Sequence, residues 1–280
     1  MGNSRWSDSD WNTYSSTTRS LSQSEIFSRS KMVESLNPKF IQLRESCDSQ
    51  ENPRSTPIIL GLDVTGSMGM IANNMAKEGL GTLVTQTLEQ KPVSDPHFMF
   101  MGIGDSDYDS APLQVTQFEA DIKIGDQLRE MWLEKGGGNN SFESYHLPWH
   151  FAATRTNIDS FAKHGRKGYL FTVGDELPPN DFTTAHQEKI YGRSERNYTI
   201  QELLAMAREK YYVYHLIVNE GSYARSHLGA VTTSWQNLLG QNAVNLTDYR
   251  ELANVVVRLM AENERNLPQE EAPDRVMDLS

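Results

Sequence analysis

Four apolar runs of strand length punctuate this chain, and they constrain its fold more than any other feature. Ile58-Ile59-Leu60-Gly61-Leu62, His97 to Ile103, Gly168 to Val173 and Tyr212 to Val218 are continuous rather than alternating. A strand that is apolar on both sides is buried on both faces, as in a parallel sheet covered by helices. Between the runs the pattern turns helical: from about Ile71 to Glu89, near Asp126 to Leu133, and into Ala153. Thr199-Ile200-Gln201-Glu202 has capping-box spacing and predicts a helix running to Lys210. Gly240 resembles a helix C-cap, followed by a short strand near Ala243 to Leu246 and a last helix from about Asp248 to Asn263. Leu113 to Phe118 alternates with period two, which predicts a half-exposed edge strand. Strands alternating with helices give an α/β fold with an open, mostly parallel sheet flanked by helices. In such sheets ligands gather at the carboxyl ends of strands, where the strand order reverses.

The loop that leaves the first of these strands therefore matters most. It reads Asp63-Val64-Thr65-Gly66-Ser67-Met68. A carboxylate followed at alternate positions by two hydroxyls puts three oxygens on one side of a tight turn, and Gly66 allows that turn its backbone. Hard cations such as Mg²⁺ take oxygen ligands and keep several waters. Neutral hydroxyls fill coordination positions without cancelling the metal's charge, so such a site stays electrophilic toward an incoming anion. As an ordinary polar turn after a strand the same residues need no metal at all.

The run Ile59-Leu60-Gly61-Leu62-Asp63-Val64-Thr65-Gly66-Ser67-Met68 resembles the metal-ion-dependent adhesion site of von Willebrand factor A domains. The resemblance covers roughly residues 56 to 265. It implies a Rossmann-like, doubly wound fold and a Mg²⁺ or Mn²⁺ ion, with the shell completed by a Thr from a second loop and an Asp from a third. It also implies a partner protein that supplies an Asp or Glu to the open metal position. Asp63, Thr65 and Ser67 match the first loop. The third-loop residue corresponds to Asp175, at the end of Tyr169 to Val173; Val-Gly-Asp-Glu stands where the family has Thr-Asp-Gly, so Glu176 shares or replaces that role as the alternative. The second loop departs further: Gly136-Gly137-Gly138-Asn139-Asn140-Ser141 ends where the family Thr is expected. Ser141 is the favoured ligand and Asn140 the alternative, and both residues also make good N-caps.

The remaining features narrow the reading. A net charge of −11 over 280 residues argues against a nucleic-acid partner, since phosphate contacts need clustered Lys and Arg. The single cysteine, Cys47, excludes an internal disulfide, and the absence of long apolar runs argues against a membrane span; a cytoplasmic protein is expected. Residues 1–55 form a Ser/Thr-rich N-terminal extension and lead-in, 56–266 the von Willebrand factor A-like domain, and 267–280 an acidic tail. The first 30 residues read as a flexible arm, but Trp6, Trp11 and Tyr14 interrupt that pattern and fit equally an arm that packs on its own domain and a segment that docks a partner. Asp105, Asp107 and Asp109 read as a solvated acidic turn at the site rim, because Ser110 and Thr116 stand where a calcium loop needs Gly and Glu. Asp105 is thereby an additional candidate at the metal site. His146 and His150 have the spacing of a zinc protease, but Leu147 occupies the general-base position. The expected function is a metal-dependent interaction module rather than an enzyme. By resemblance it acts in a larger assembly, which for such proteins includes AAA ATPases of the MoxR class. Two other classes stand beside it: a metal-dependent hydrolase using Asp63, Asp105 and Asp175, and a structural component of a larger particle.

Overall fold

The computed structural model describes residues 6–134 and 142–267. An N-terminal arm carries helices α1 (Asp8–Thr18) and α2 (Gln23–Ile26), then two 3-10 turns and strand β1 (Arg44–Ser46). Strand β2 (Thr56–Asp63) leads into one continuous helical segment made of α3 (Gly69–Asn74), a π turn over Met75–Gly79, and α4 (Leu80–Gln90). Strands β3 (Pro96–Ile103) and β4 (Leu113–Val115) and helix α5 (Lys123–Arg129) come next. Helix α6 (His146–Arg155), strand β5 (Thr156–Ile158) and helix α7 (Asp159–Ala162) precede strand β6 (Gly168–Gly174). Helices α8 (Thr184–Tyr191) and α9 (Ile200–Lys210) lead to β7 (Tyr211–Val218), α10 (Ser222–Leu239), β8 (Ala243–Leu246) and α11 (Leu252–Asn266).

Six strands form one sheet in the order β4-β3-β2-β6-β7-β8, parallel throughout except for the antiparallel pair of β3 with β4. Strands β1 and β5 make a separate parallel pair. The continuous apolar runs are buried on both faces, as their patterns require. Side chains alternate across a strand, so Ile58, Leu60 and Leu62 face one core, shared with α3, α4, α5 and α11, through Leu80, Leu83, Ile124 and Val256. Ile59 faces the other, with Trp149 of α6, Leu203 of α9 and Trp235 of α10. Burying each such aliphatic side chain contributes about 1.5–3 kcal/mol, which makes the double-sided sheet the main source of stability. The capping box at Thr199 and Glu202 is formed, and Thr199 opens α9.

Three expectations are corrected. The arm is not flexible over its described residues. Tyr14 is buried and donates its hydroxyl to the carbonyl of Gly125, Trp6 meets Phe98 edge-on at 5.8 Å, and Trp11 lies on Gly81. A methyl added at Gly81 would stand 1.9 Å from the Trp11 ring, so only glycine leaves that socket open. The edge strand is shorter than Leu113 to Phe118 and is fully buried. Its polar alternates are satisfied from inside: Gln114 trades two hydrogen bonds with the backbone of Trp132, and Thr116 bonds the backbone of Phe100. Buried polar groups with full partners cost little, and that is why alternation failed to signal solvent. Finally, among the acids of the acidic turn only Asp107 is solvated: Asp105 and Asp109 are buried, the Asp109 carboxylate accepting the Asp105 amide and the Asp105 carboxylate accepting that of Asp107. Among the described residues no helix is long and apolar enough to cross a membrane.

Candidate functional site

The strand order reverses at β2, whose neighbours β3 and β6 lead to opposite halves of the sheet. Leu62 pairs in register with Val173, so the chain leaves both strands side by side. This delivers Asp63 and Asp175 to one crevice, where the Asp175 charge disfavours ionisation of Asp63. Asp63 is only 1% exposed. Its Oδ1 accepts the amide of Thr65 at 2.9 Å and the Thr65 hydroxyl at 2.7 Å, an Asx-type turn that folds the loop back on the strand end. Gly66 has φ 37°, in the left-handed region where a side chain would be strained. Ser67 lies in the 3-10 turn that follows, directly before α3.

Asp175 is also buried, and its Oδ2 accepts the amides of Tyr223 at 2.7 Å and Ala224 at 3.3 Å. The carboxylate thus sits on the N-terminus of α10, where free amides and the helix dipole favour a negative charge. Burial nonetheless outweighs those bonds and raises its pKa. Asp63 is raised from 3.8 to about 7, by burial first and by Asp175 among the charges around it.

Two residues not singled out in the sequence join them. Glu143 is 3% exposed, and its Oε2 has no hydrogen-bond partner among the described residues. Its pKa rises from 4.5 to about 10, through burial and then the charges of Asp63, Glu176, Asp109 and Asp105. Glu176, the proposed alternate to Asp175, carries a second orphaned Oε2 and is raised to about 8 by burial and by Asp63, Asp175 and Asp105. The other addition is Tyr145, fully buried, whose hydroxyl donates to Asp63 Oδ2 at 3.0 Å. Glu143 and Tyr145 lie two and four positions beyond Ser141, in a stretch stapled by a bridge from Phe142 to Leu177 and by bonds from Ser144 to Gly104 and Ser106. Their only mark in the sequence is a place just ahead of a helix, which does not tell an acid facing a crevice from one facing water.

Asp105, just beyond the end of β3, adds its charge to those that raise Glu143 and Glu176. Asn140, Ser141 and the Gly136 to Gly138 run lie outside the described residues. His146 and His150 do not converge on a metal. Burial lowers both, to about 3 and about 4, and both rings pack edge-on against Phe182, with His150 also bonded to Tyr191. Among the described residues, no three His, Cys, Asp or Glu side chains gather their donors around one point as a metal centre would.

Among solved structures, the chain is similar to the pilus adhesin SpaC of Lactobacillus rhamnosus GG in its open conformation. Identity is 10% over 77% of this chain and 31% of the adhesin, with a TM-score of 0.48. A von Willebrand factor type A protein from Catenulispora acidiphila shares 13% identity over 75% of this chain and 43% of its own, at a TM-score of 0.39. The conserved hypothetical protein BatB from Bacteroides thetaiotaomicron shares 10% over 76% of this chain and 100% of its own, at 0.40. The chain therefore spans about a third of the length of the adhesin. No family model and no curated protein matches it. What decides the fold is internal: an Asp-x-Thr-x-Ser loop at the switch point of a sheet ordered β4-β3-β2-β6-β7-β8. The fold is the doubly wound, mostly parallel α/β sheet flanked by helices that the resemblance implies. Within it, Asp63, Glu143, Asp175 and Glu176 lie near enough to one another for their charges to interact.

Proposed function

We propose that this von Willebrand factor A-type fold serves as a protein-interaction module whose working part is a Mg²⁺ or Mn²⁺ ion. Asp63, Thr65, Ser67 and Asp175 would hold it, with Ser141 or Asn140 from the second loop, and with Glu176 and Glu143 beside them. The observation that carries this reading is the set of buried carboxylates without countercharge: Asp63 and Asp175 side by side, and orphaned oxygens on Glu143 and Glu176. Buried anions demand a partner, and an all-oxygen donor set fits a hard divalent cation. When bound, the cation supplies positive charge in an acidic protein, so that a carboxylate of a partner can be drawn to it. A cytoplasmic setting and an assembly with an AAA ATPase of the MoxR class belong to the same proposal.

The test is a Mn²⁺ titration followed by calorimetry, together with capture of partners in the presence and absence of chelator. One main site is expected, and Asp63→Ala is expected to abolish it, since the neutral oxygens that remain hold a strongly hydrated ion poorly. An unchanged titration in Asp63→Ala would move the ion elsewhere. A second reading, metal-dependent hydrolysis through Asp63, Asp105 and Asp175, has one observation in its favour, the additional carboxylates Glu143 and Glu176. Mg²⁺-dependent turnover of a phosphoester or peptide, lost in Asp63→Ala, would favour it over recruitment.

A further inference from the structure

Tyr145 occupies an unusual place among the buried tyrosines. Its ring lies against His215, with centroids 4.9 Å apart, and against Trp235 at 5.6 Å. Its hydroxyl is aimed at the strand ends, where it donates to Asp63 Oδ2 at 3.0 Å and accepts the amide of Glu176 at 3.4 Å. One atom therefore touches the loop after β2 and the loop after β6, and it is carried by the stretch just ahead of α6. Gly174, the last residue of β6, makes this approach feasible: a Cβ there would fall 2.1 Å from the hydroxyl. The third loop is fixed from its far side too, by Trp235 Nε1 donating to the Glu176 carbonyl at 2.8 Å.

We infer that Tyr145 is a positioning residue for the cation, holding Asp63 and the Asp175–Glu176 loop in the arrangement that binds it. This rests on the metal reading above. The physical argument concerns the two oxygens of Asp63. Thr65 takes Oδ1, and without Tyr145 the buried Oδ2 would have no donor described around it, leaving the carboxylate free to rotate. A donor on Oδ2 fixes the plane of the carboxylate. Groups that hydrogen-bond to metal ligands in this way usually matter by 10- to 100-fold in affinity, about as much as a weak ligand. The same hydroxyl registers the third loop against the first, so the distance from Asp63 to Asp175 is set by the tyrosine as well as by strand pairing.

Tyr145→Phe tests this, because it keeps the ring between His215, Trp235 and Gly174 and removes only the hydroxyl. Mn²⁺ affinity, read by calorimetry or by the electron paramagnetic resonance of free Mn²⁺, is expected to fall at least tenfold. Metal-free far-ultraviolet melts should remain cooperative and close to those of the parent protein. Gly174→Ala displaces the hydroxyl from Asp63 by a different route and should weaken Mn²⁺ in the same direction. Parent-like Mn²⁺ affinity in a folded Tyr145→Phe or Gly174→Ala protein overturns the proposal while leaving the metal reading intact. Failure of the parent protein itself to bind Mn²⁺ overturns the metal reading, and the role of Tyr145 with it.

Discussion

At the scale of single residues, burial raises the pKa values of the crevice carboxylates, and the consequence is a pH dependence with a definite sign. Asp63 is raised from 3.8 to about 7 and Glu176 from 4.5 to about 8, with Glu143 higher still at about 10. For acids whose folded values lie above their unfolded ones, the stability they confer is complete below the unfolded values and is lost as pH rises through the folded ones. Metal-stripped protein is therefore expected to melt lower at about pH 8.5 than at about pH 7, an interval above the titration of the buried histidines, and saturating Mg²⁺ should raise the melt more at the higher pH. A stripped protein that grows more stable across that interval would contradict the assignment of these groups. Asp63, Thr65, Ser67 and Asp175 stand out in the sequence because they lie at or just beyond strand ends in a spacing with chemical meaning. Glu143 was not. Nothing in its local pattern distinguishes an acid turned into a crevice from one turned to water, since that is decided by the bridge from Phe142 to Leu177 and by the approach of the third loop.

At the scale of elements, the arm shows where composition misleads. Its Ser and Thr residues suggested solvent, yet three aromatic side chains suffice to seat it: Trp6 on Phe98, Trp11 on Gly81 and Tyr14 on Gly125. Sequence alone cannot say that a glycine in a distant helix is a socket, because the hole exists only when both partners are in place. Trp11 is partly exposed, so Trp11→Ala is expected to cost about 2–3 kcal/mol, below the range for a fully buried Trp. Gly81→Leu would evict the same ring. Combined in one chain, the two changes should cost clearly less than their separate effects added together, because they remove the same contact. Urea melts of the four proteins measure this; strict additivity would mean that Trp11 is not seated on Gly81. The helical stretch expected from Ile71 to Glu89 was equally incomplete. The structure has the helix, but with a π turn over Met75–Gly79 in its middle, and one extra residue in a turn leaves no mark on a periodic pattern.

At the scale of the whole molecule, the doubly wound sheet was the most legible feature, because four doubly buried strands leave few alternatives to a sheet covered by helices. The order of the strands was not legible from the pattern itself, since any of the buried runs could have taken the centre. That order has a consequence for how the protein comes into being. Strand β2 is made early, but one of its two neighbours, β6, is made more than a hundred residues later, and Tyr14 waits across a separation of 111 residues for Gly125. Closing such long loops has to precede the contacts that reward it. Chains stalled during synthesis at Gly165 should therefore remain open to protease throughout β2 and the arm, whereas chains extended past Val218 should resist it. Resistance already at Gly165 would mean that the N-terminal half folds without β6. Until β6 emerges from the ribosome, the Asp63 loop is an acidic turn at the end of an unpaired sheet edge, and neither its carboxylate neighbours nor the hydroxyl that orients it has a place to stand.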